Sequence, residues 1–137
     1  EAARSSKPYL ADKIILTGSI MDRDQLYSYY KRAKIICMTS RSESTCIATL
    51  EAMYFGAYPV ITRYSSFADD TTNYEKCGTI VSANADILAE VLAKKMQNPE
   101  LVAQGNECQW YARKMFNYDV LVGKLDQQLR NLMDKRE

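Results

Sequence analysis

Short apolar runs alternate along this chain with longer stretches in which apolar side chains recur every three or four positions. Lys13-Ile14-Ile15-Leu16-Thr17-Gly18 reads as a buried strand ending at a glycine. Leu26, Tyr29, Tyr30 and Ala33 then fall on one helical face. Asp22 is placed to cap that helix, with Gln25 at the capping-box position and Met21 and Leu26 spaced for a hydrophobic staple. Lys34-Ile35-Ile36-Cys37-Met38 predicts a second strand, with Cys37 as a small core residue, and Thr39-Ser40-Arg41-Ser42-Glu43 follows as a polar loop. The next helix starts near Thr45 or Cys46, carries Ile47, Leu50, Met53 and Tyr54 as its apolar stripe, and stops before Gly56. Tyr58-Pro59-Val60-Ile61-Thr62 is a third strand, with proline at its beginning, where it is tolerated.

A polar loop from Arg63 to Lys76 leads to a fourth short strand, Gly78-Thr79-Ile80-Val81. The remainder reads as helix. Ile87, Leu88, Val91, Leu92 and Met96 mark one helix, and Asn98-Pro99 caps and starts another. Asn117 caps a last helix with Leu121, Leu125, Leu129 and Leu132 on one side. Strands alternating with helices predict an α/β fold, a Rossmann-like parallel sheet with helices on both faces. The 137 residues are expected to form one domain, 1–137, whose C-terminal helices begin at about residue 84.

Composition changes this picture little. A net charge of +1 gives no reason to expect nucleic acid as a partner, and no apolar run approaches the ~20 residues of a membrane span. Four cysteines, Cys37, Cys46, Cys77 and Cys108, are widely spaced, with no Cys-x-x-Cys and no histidine, which argues against zinc. No Asp-x-Asp cluster calls for another metal, and Asp69-Asp70 reads as surface loop. The cysteine pattern fits a reduced, cytoplasmic compartment. The opening Glu1-Ala2-Ala3-Arg4, without methionine or signal-peptide pattern, reads as part of a longer protein.

The chemistry concentrates between Ser42 and Ile61. Glu43 and Glu51 bracket the start of the predicted helix, and a Gly-x-x-Pro turn leads from its end into the next strand. A helix N-terminus at the carboxyl end of a parallel strand is where α/β proteins hold phosphorylated ligands. Free N–H groups near Cys46 and Ile47 would face a phosphate. Glu43 and Glu51 are carboxylates suited to hydroxyl groups. Glu51 is a ligand residue or a solvated helix residue; Glu43 touches the ligand or balances the helix dipole. Arg41 reaches a phosphate or lies on the surface. The tyrosines Tyr27, Tyr29 and Tyr30 are explained by helical packing.

This stretch resembles the paired-glutamate motif E-G-F-G-x-x-x-x-E-A-M-A-x-G-x-P-V of retaining, family 4 glycosyltransferases. Glu43, Glu51-Ala52-Met53, Gly56 and Pro59-Val60 match it. Ile14 to Gly18 with Ser19-Ile20, Leu26 to Ile35, Cys77 to Val81 and Met115-Phe116-Asn117-Tyr118 are similar to further elements of that family, in order. The resemblance implies the C-terminal, donor-binding lobe of a GT-B fold, truncated at its N-terminal side. Such an enzyme moves a hexose-type sugar from a nucleotide-diphosphate sugar to a glycan, lipid or small-molecule hydroxyl. It implies Glu43 at the transferred sugar, as the catalytic carboxylate, and Glu51 at the ribose. Ser44, Thr45, Cys46 and Ile47 would line the phosphate site, and Ser19 and Ile20 the base.

No cofactor is implied beyond the donor substrate. The implied partner is an acceptor-binding N-terminal lobe of the same protein, through which the enzyme could sit at the cytosolic face of a membrane. The chain alone is expected to be inactive. The family has glycines where this chain has Ser44 and Cys46, and its Arg and Lys on the diphosphate have no counterpart here. A sugar-nucleotide epimerase of the same fold and a non-catalytic Rossmann-like interaction domain are the rival readings.

Overall fold

The structure, a computed structural model, describes residues 12–134. Helix α1 spans Arg23–Arg32, strand β1 Ile35–Met38, helix α2 Ile47–Tyr54 and strand β2 Tyr58–Thr62. The short helix α3 (Phe67–Thr71) and strand β3 (Thr79–Val81) follow, then α4 (Ala85–Gln97), α5 (Leu101–Met115) and α6 (Tyr118–Asp134). The three strands form one sheet in the order β1-β2-β3, parallel throughout. Ile35 pairs with Tyr58 and Met38 with Ile61; Val60 pairs with Thr79 and Thr62 with Val81. This is the Rossmann-like α/β arrangement that the alternation of strands and helices predicted.

All five residues of β2 are buried, as a central parallel strand covered on both faces requires. Successive side chains alternate between faces. Tyr58 and Val60 belong to a cluster with Met53, Val81, Leu101, Cys108 and Tyr111, whereas Ile61 packs with Cys46, Tyr64 and Ala68. Asp22 and Asn117 cap their helices as expected, and Asn84, which sequence reasoning did not single out, caps α4. The Asp22 carboxylate accepts from the N–H groups of Asp24 and Gln25, Asn84 from Asp86 and Ile87, and Asn117 from Asp119. The predicted staple is absent, because Met21 is 89% exposed. Helix α5 starts at Leu101, with Pro99 left in the preceding turn and Asn98 Oδ1 accepting from the Glu100 N–H.

Three expectations fail for tertiary reasons. The run Lys13 to Gly18 forms no strand, and Ile15 and Leu16 are 75% and 57% exposed. A strand exists only where a ladder satisfies its N–H and C=O groups. Among the described residues β1 pairs with β2 alone, so the sheet has three strands rather than four. For the same reason Cys37, on β1, is exposed rather than a core residue. The segment after Arg63 is not all loop. Polar Thr71 and Thr72 are buried because their hydroxyls are satisfied by the carbonyls of Phe67 and Ala68, and Thr71 also meets the Tyr64 hydroxyl. Asp69-Asp70 accordingly lies within α3, where Arg63 pairs with Asp69.

Helix α2 is held between the sheet and α5. Its buried positions are Thr49, Ala52 and Met53, with Leu50 packed against the core, while Ile47 and Tyr54 are exposed, so Leu50 and Met53 of the expected stripe face inward and the other two do not. Gly56 ends the helix in the left-handed region at φ 94°, and Gly105 of α5 packs against its carbonyl oxygen. This close approach of two backbones fixes where α2 lies, and with it the N-terminus that faces the strand ends.

Candidate functional site

In a parallel sheet the carboxyl ends of the strands share one side, and ligands gather there. The loop from Thr39 to Thr45 leaves β1 on that side and delivers the chain to α2. Thr62, at the end of β2, donates its hydroxyl to the Ser40 carbonyl at 2.5 Å, and Ser65 donates to the Ser44 carbonyl at 3.5 Å. These contacts tie the loop to the neighbouring strand end. Glu43 lies in the loop, exposed, with Oε1 accepting from Ser40 Oγ at 2.8 Å.

Cys46 is the N-cap of α2 and adopts the left-handed conformation, φ 45° and ψ 64°. Its carbonyl accepts from the N–H groups of Thr49 and Leu50, and its buried thiol meets Thr49 Oγ1 at 3.0 Å. Among the described residues no side chain caps the helix. The N–H groups of Ile47 and Ala48 have no partner among the described residues. The left-handed turn therefore leaves two donors free at the positive end of the helix dipole, an arrangement suited to an anion. The left-handed φ explains why glycine would suit this position, since a side chain there is strained.

Glu51 lies one turn further along α2. Its Oε1 is 3.3 Å from Arg23 Nη2 at the start of α1. It borders an open cavity of about 370 Å³ walled by Tyr27, Leu50, Tyr54, Phe55 and Phe116. Burial pushes the Tyr30 hydroxyl up from its ordinary pKa, and the charge of Glu51 and then Cys46 add to the rise. Burial likewise raises Tyr64, opposed by its hydrogen bond to Thr71 and reinforced by Cys46 and Glu43. Cys46 packs in one cluster with Ile61, Tyr64 and Ala68.

The predicted residues Glu43, Ser44, Thr45, Cys46, Ile47 and Glu51 form one continuous turn and helix start. Ser44 and Thr45 are exposed there. Ser19 and Ile20 lie in coil before α1, and Ser19 Oγ contacts Met21 Sδ at 3.7 Å. The contact from α1 to the site runs through Arg23 rather than through them. Arg41 lines a separate cavity of about 300 Å³ with Thr39, Thr62, Ser82, Asn84 and Leu88. Sequence reasoning missed Arg23 and Tyr64. Arg23 sits 28 positions from its partner, and no local spacing signals such a pair.

Among the described residues no group of three or more His, Cys, Asp or Glu side chains is placed to hold a metal ion, and no helix is long and apolar enough to cross a membrane. The family model for glycosyl transferases group 1 matches residues 3–115, through the end of α5. The chain belongs to that family, and glycosyl transfer is the chemistry that membership supports. No curated protein matches it.

Proposed function

We propose that this chain, over residues 1–137, is the donor-binding lobe of a retaining, family 4 glycosyltransferase with the GT-B fold. It would use a nucleotide-diphosphate sugar and transfer a hexose to a glycan, lipid or small-molecule hydroxyl. The observation that carries the reading is the uncapped start of α2, with the Ile47 and Ala48 N–H groups free and a carboxylate on either side. A diphosphate fits the free donors and the dipole. Glu51 has one oxygen, Oε2, without a partner among the described residues, suited to the ribose diol. Glu43, held only through Ser40, can turn toward the transferred sugar.

Catalysis at such a site is electrostatic. As the glycosidic bond breaks, negative charge grows on the departing diphosphate, and fixed N–H donors stabilise that charge more than they stabilise the intact donor. Glu43 aligns the sugar whose anomeric carbon becomes electron-poor. The acceptor would be bound by a second lobe of the same protein. Helix α6 has no buried residue and leaves Leu121, Leu125, Leu129 and Leu132 uncovered, which suits it to rest on that lobe. The donor needs no further cofactor, and a cytoplasmic location or the cytosolic face of a membrane follows from this reading.

One observation favours a second reading, an inert interaction domain of the same fold: Cys46 places a side chain where the phosphate cradle favours glycine. A thermal-shift panel of uridine, guanosine and adenosine diphosphates and their sugars discriminates the two. Ligand at about a hundred times Kd stabilises by about 2.7 kcal/mol, a rise of several degrees in Tm. A rise with one nucleotide class supports the transferase lobe, and a flat panel at millimolar ligand favours the inert domain.

A further inference from the structure

Arg23 is the first residue of α1, set there by the Asp22 cap. Among the described residues its guanidinium makes no hydrogen bond within its own helix and reaches across to α2, where Nη2 lies 3.3 Å from Glu51 Oε1. Its carbon lies 5.7 Å from the centroid of the Tyr27 ring, one turn along α1, which gives the long side chain a surface to lie against. The Glu51 side chain is only 25% exposed, against 74% for Arg23. An open surface pair contributes little, but a carboxylate that is partly shielded loses more when its charge partner goes.

The pair engages one carboxylate oxygen. An ionised carboxylate accepts at both, so Arg23 restrains Glu51 without blocking it. We propose that Arg23 is a positioning residue of the donor site: it fixes the Glu51 carboxylate by Oε1, so that Oε2 is presented to the ribose diol of the nucleotide. The inference rests on the donor-site reading and adds a residue to it. In the empty protein Glu51 is then already oriented, and less rotamer freedom is lost when ligand binds.

A double-mutant cycle tests this, with the Kd of uridine 5′-diphosphate and of guanosine 5′-diphosphate measured by calorimetry. The proteins are wild type, Arg23→Ala, Arg23→Lys, Glu51→Ala and the Arg23→Ala/Glu51→Ala pair, each checked for an unchanged circular dichroism spectrum. Arg23→Ala is expected to weaken binding about three- to fivefold, the scale of a partly shielded ion pair. Arg23→Lys restores most of the loss, and in the Glu51→Ala background removal of Arg23 changes little. If Glu51→Ala weakens binding but Arg23→Ala does not, the positioning role is wrong and the donor site stands. An equal loss from Arg23→Ala in both backgrounds makes Arg23 a direct ligand contact, which also overturns the proposal. If Glu51→Ala leaves both affinities unchanged, the donor-site reading itself fails and takes this inference with it.

Discussion

Gly105→Ala and Gly123→Ala are the same change in two helices, and the fold gives them opposite signs. Alanine favours a helix interior over glycine by about 0.8–1.0 kcal/mol. At Gly123, in α6, an added Cβ meets nothing within 4 Å, so that preference is gained undiminished. At Gly105 the added Cβ runs into the carbonyl oxygen of Gly56. No rotamer relieves this contact, because both groups are backbone. One helix must shift, and overpacking of a tight core costs typically about 1–3 kcal/mol. With a backbone obstacle the upper end applies, leaving Gly105→Ala destabilised by about 2 kcal/mol after the propensity gain. Urea unfolding followed by far-ultraviolet circular dichroism should therefore separate the two variants by about 3 kcal/mol in opposite directions from wild type. The effect reaches the site as well, since pushing α2 away from α5 moves Glu51 and the free N–H groups, and misplacement of about 1 Å is costly for binding and catalysis. A Gly105→Ala protein as stable as wild type would refute the close approach of α5 to the end of α2.

Two further predictions concern titration and turnover. Burial pushes the Cys108 thiol far above its ordinary pKa, with Cys77 beside it adding to the rise. The unfolded thiol ionises near pH 9 while the folded one keeps its proton, so stability is unaffected below that pH and falls above it, by up to about 1.4 kcal/mol per pH unit. Cys108→Ala should flatten that alkaline decline in urea-midpoint measurements across pH 8 to 10. In the two-lobed enzyme, Glu43→Ala should lower kcat on the order of tenfold to a hundredfold, the loss of a charged hydrogen bond, with little change in nucleotide Kd. Steady-state kinetics beside a nucleotide titration show whether the loss falls instead on binding.

What the sequence made legible was local or strongly periodic. The caps at Asp22 and Asn117 satisfy N–H groups two or three residues away, so their pattern and structure coincide. The apolar run of β2 is a strand buried on both faces. The stretch around Glu43 and Glu51 contained the loop and helix start, whereas the left-handed conformation of Cys46 was not read from it. What stayed hidden depends on the rest of the fold. Ile14 to Gly18 has the composition of a strand and forms none among the described residues. Cys37 has the neighbours of a core residue and lies on a strand paired on one side only among the described residues. Thr71 and Thr72 look like loop residues, but helix carbonyls satisfy their hydroxyls. The buried face of α2 takes in Thr49 and Ala52 beside Met53 and leaves Ile47 and Tyr54 exposed, a choice that apolar periodicity alone does not make. The pairing of Arg23 with Glu51 needs two helices brought side by side.

The central claim is that the start of α2 and Glu51 hold the nucleotide of a sugar donor. Its most direct test is calorimetric titration of a nucleoside diphosphate into wild type and Glu51→Ala. The ribose contact is made equally before and during transfer, so its loss appears as weaker binding. The account predicts about a tenfold to hundredfold rise in Kd with the fold intact, the cost of one charge-assisted hydrogen bond system. An affinity unchanged by Glu51→Ala would contradict it and favour an inert Rossmann-like domain.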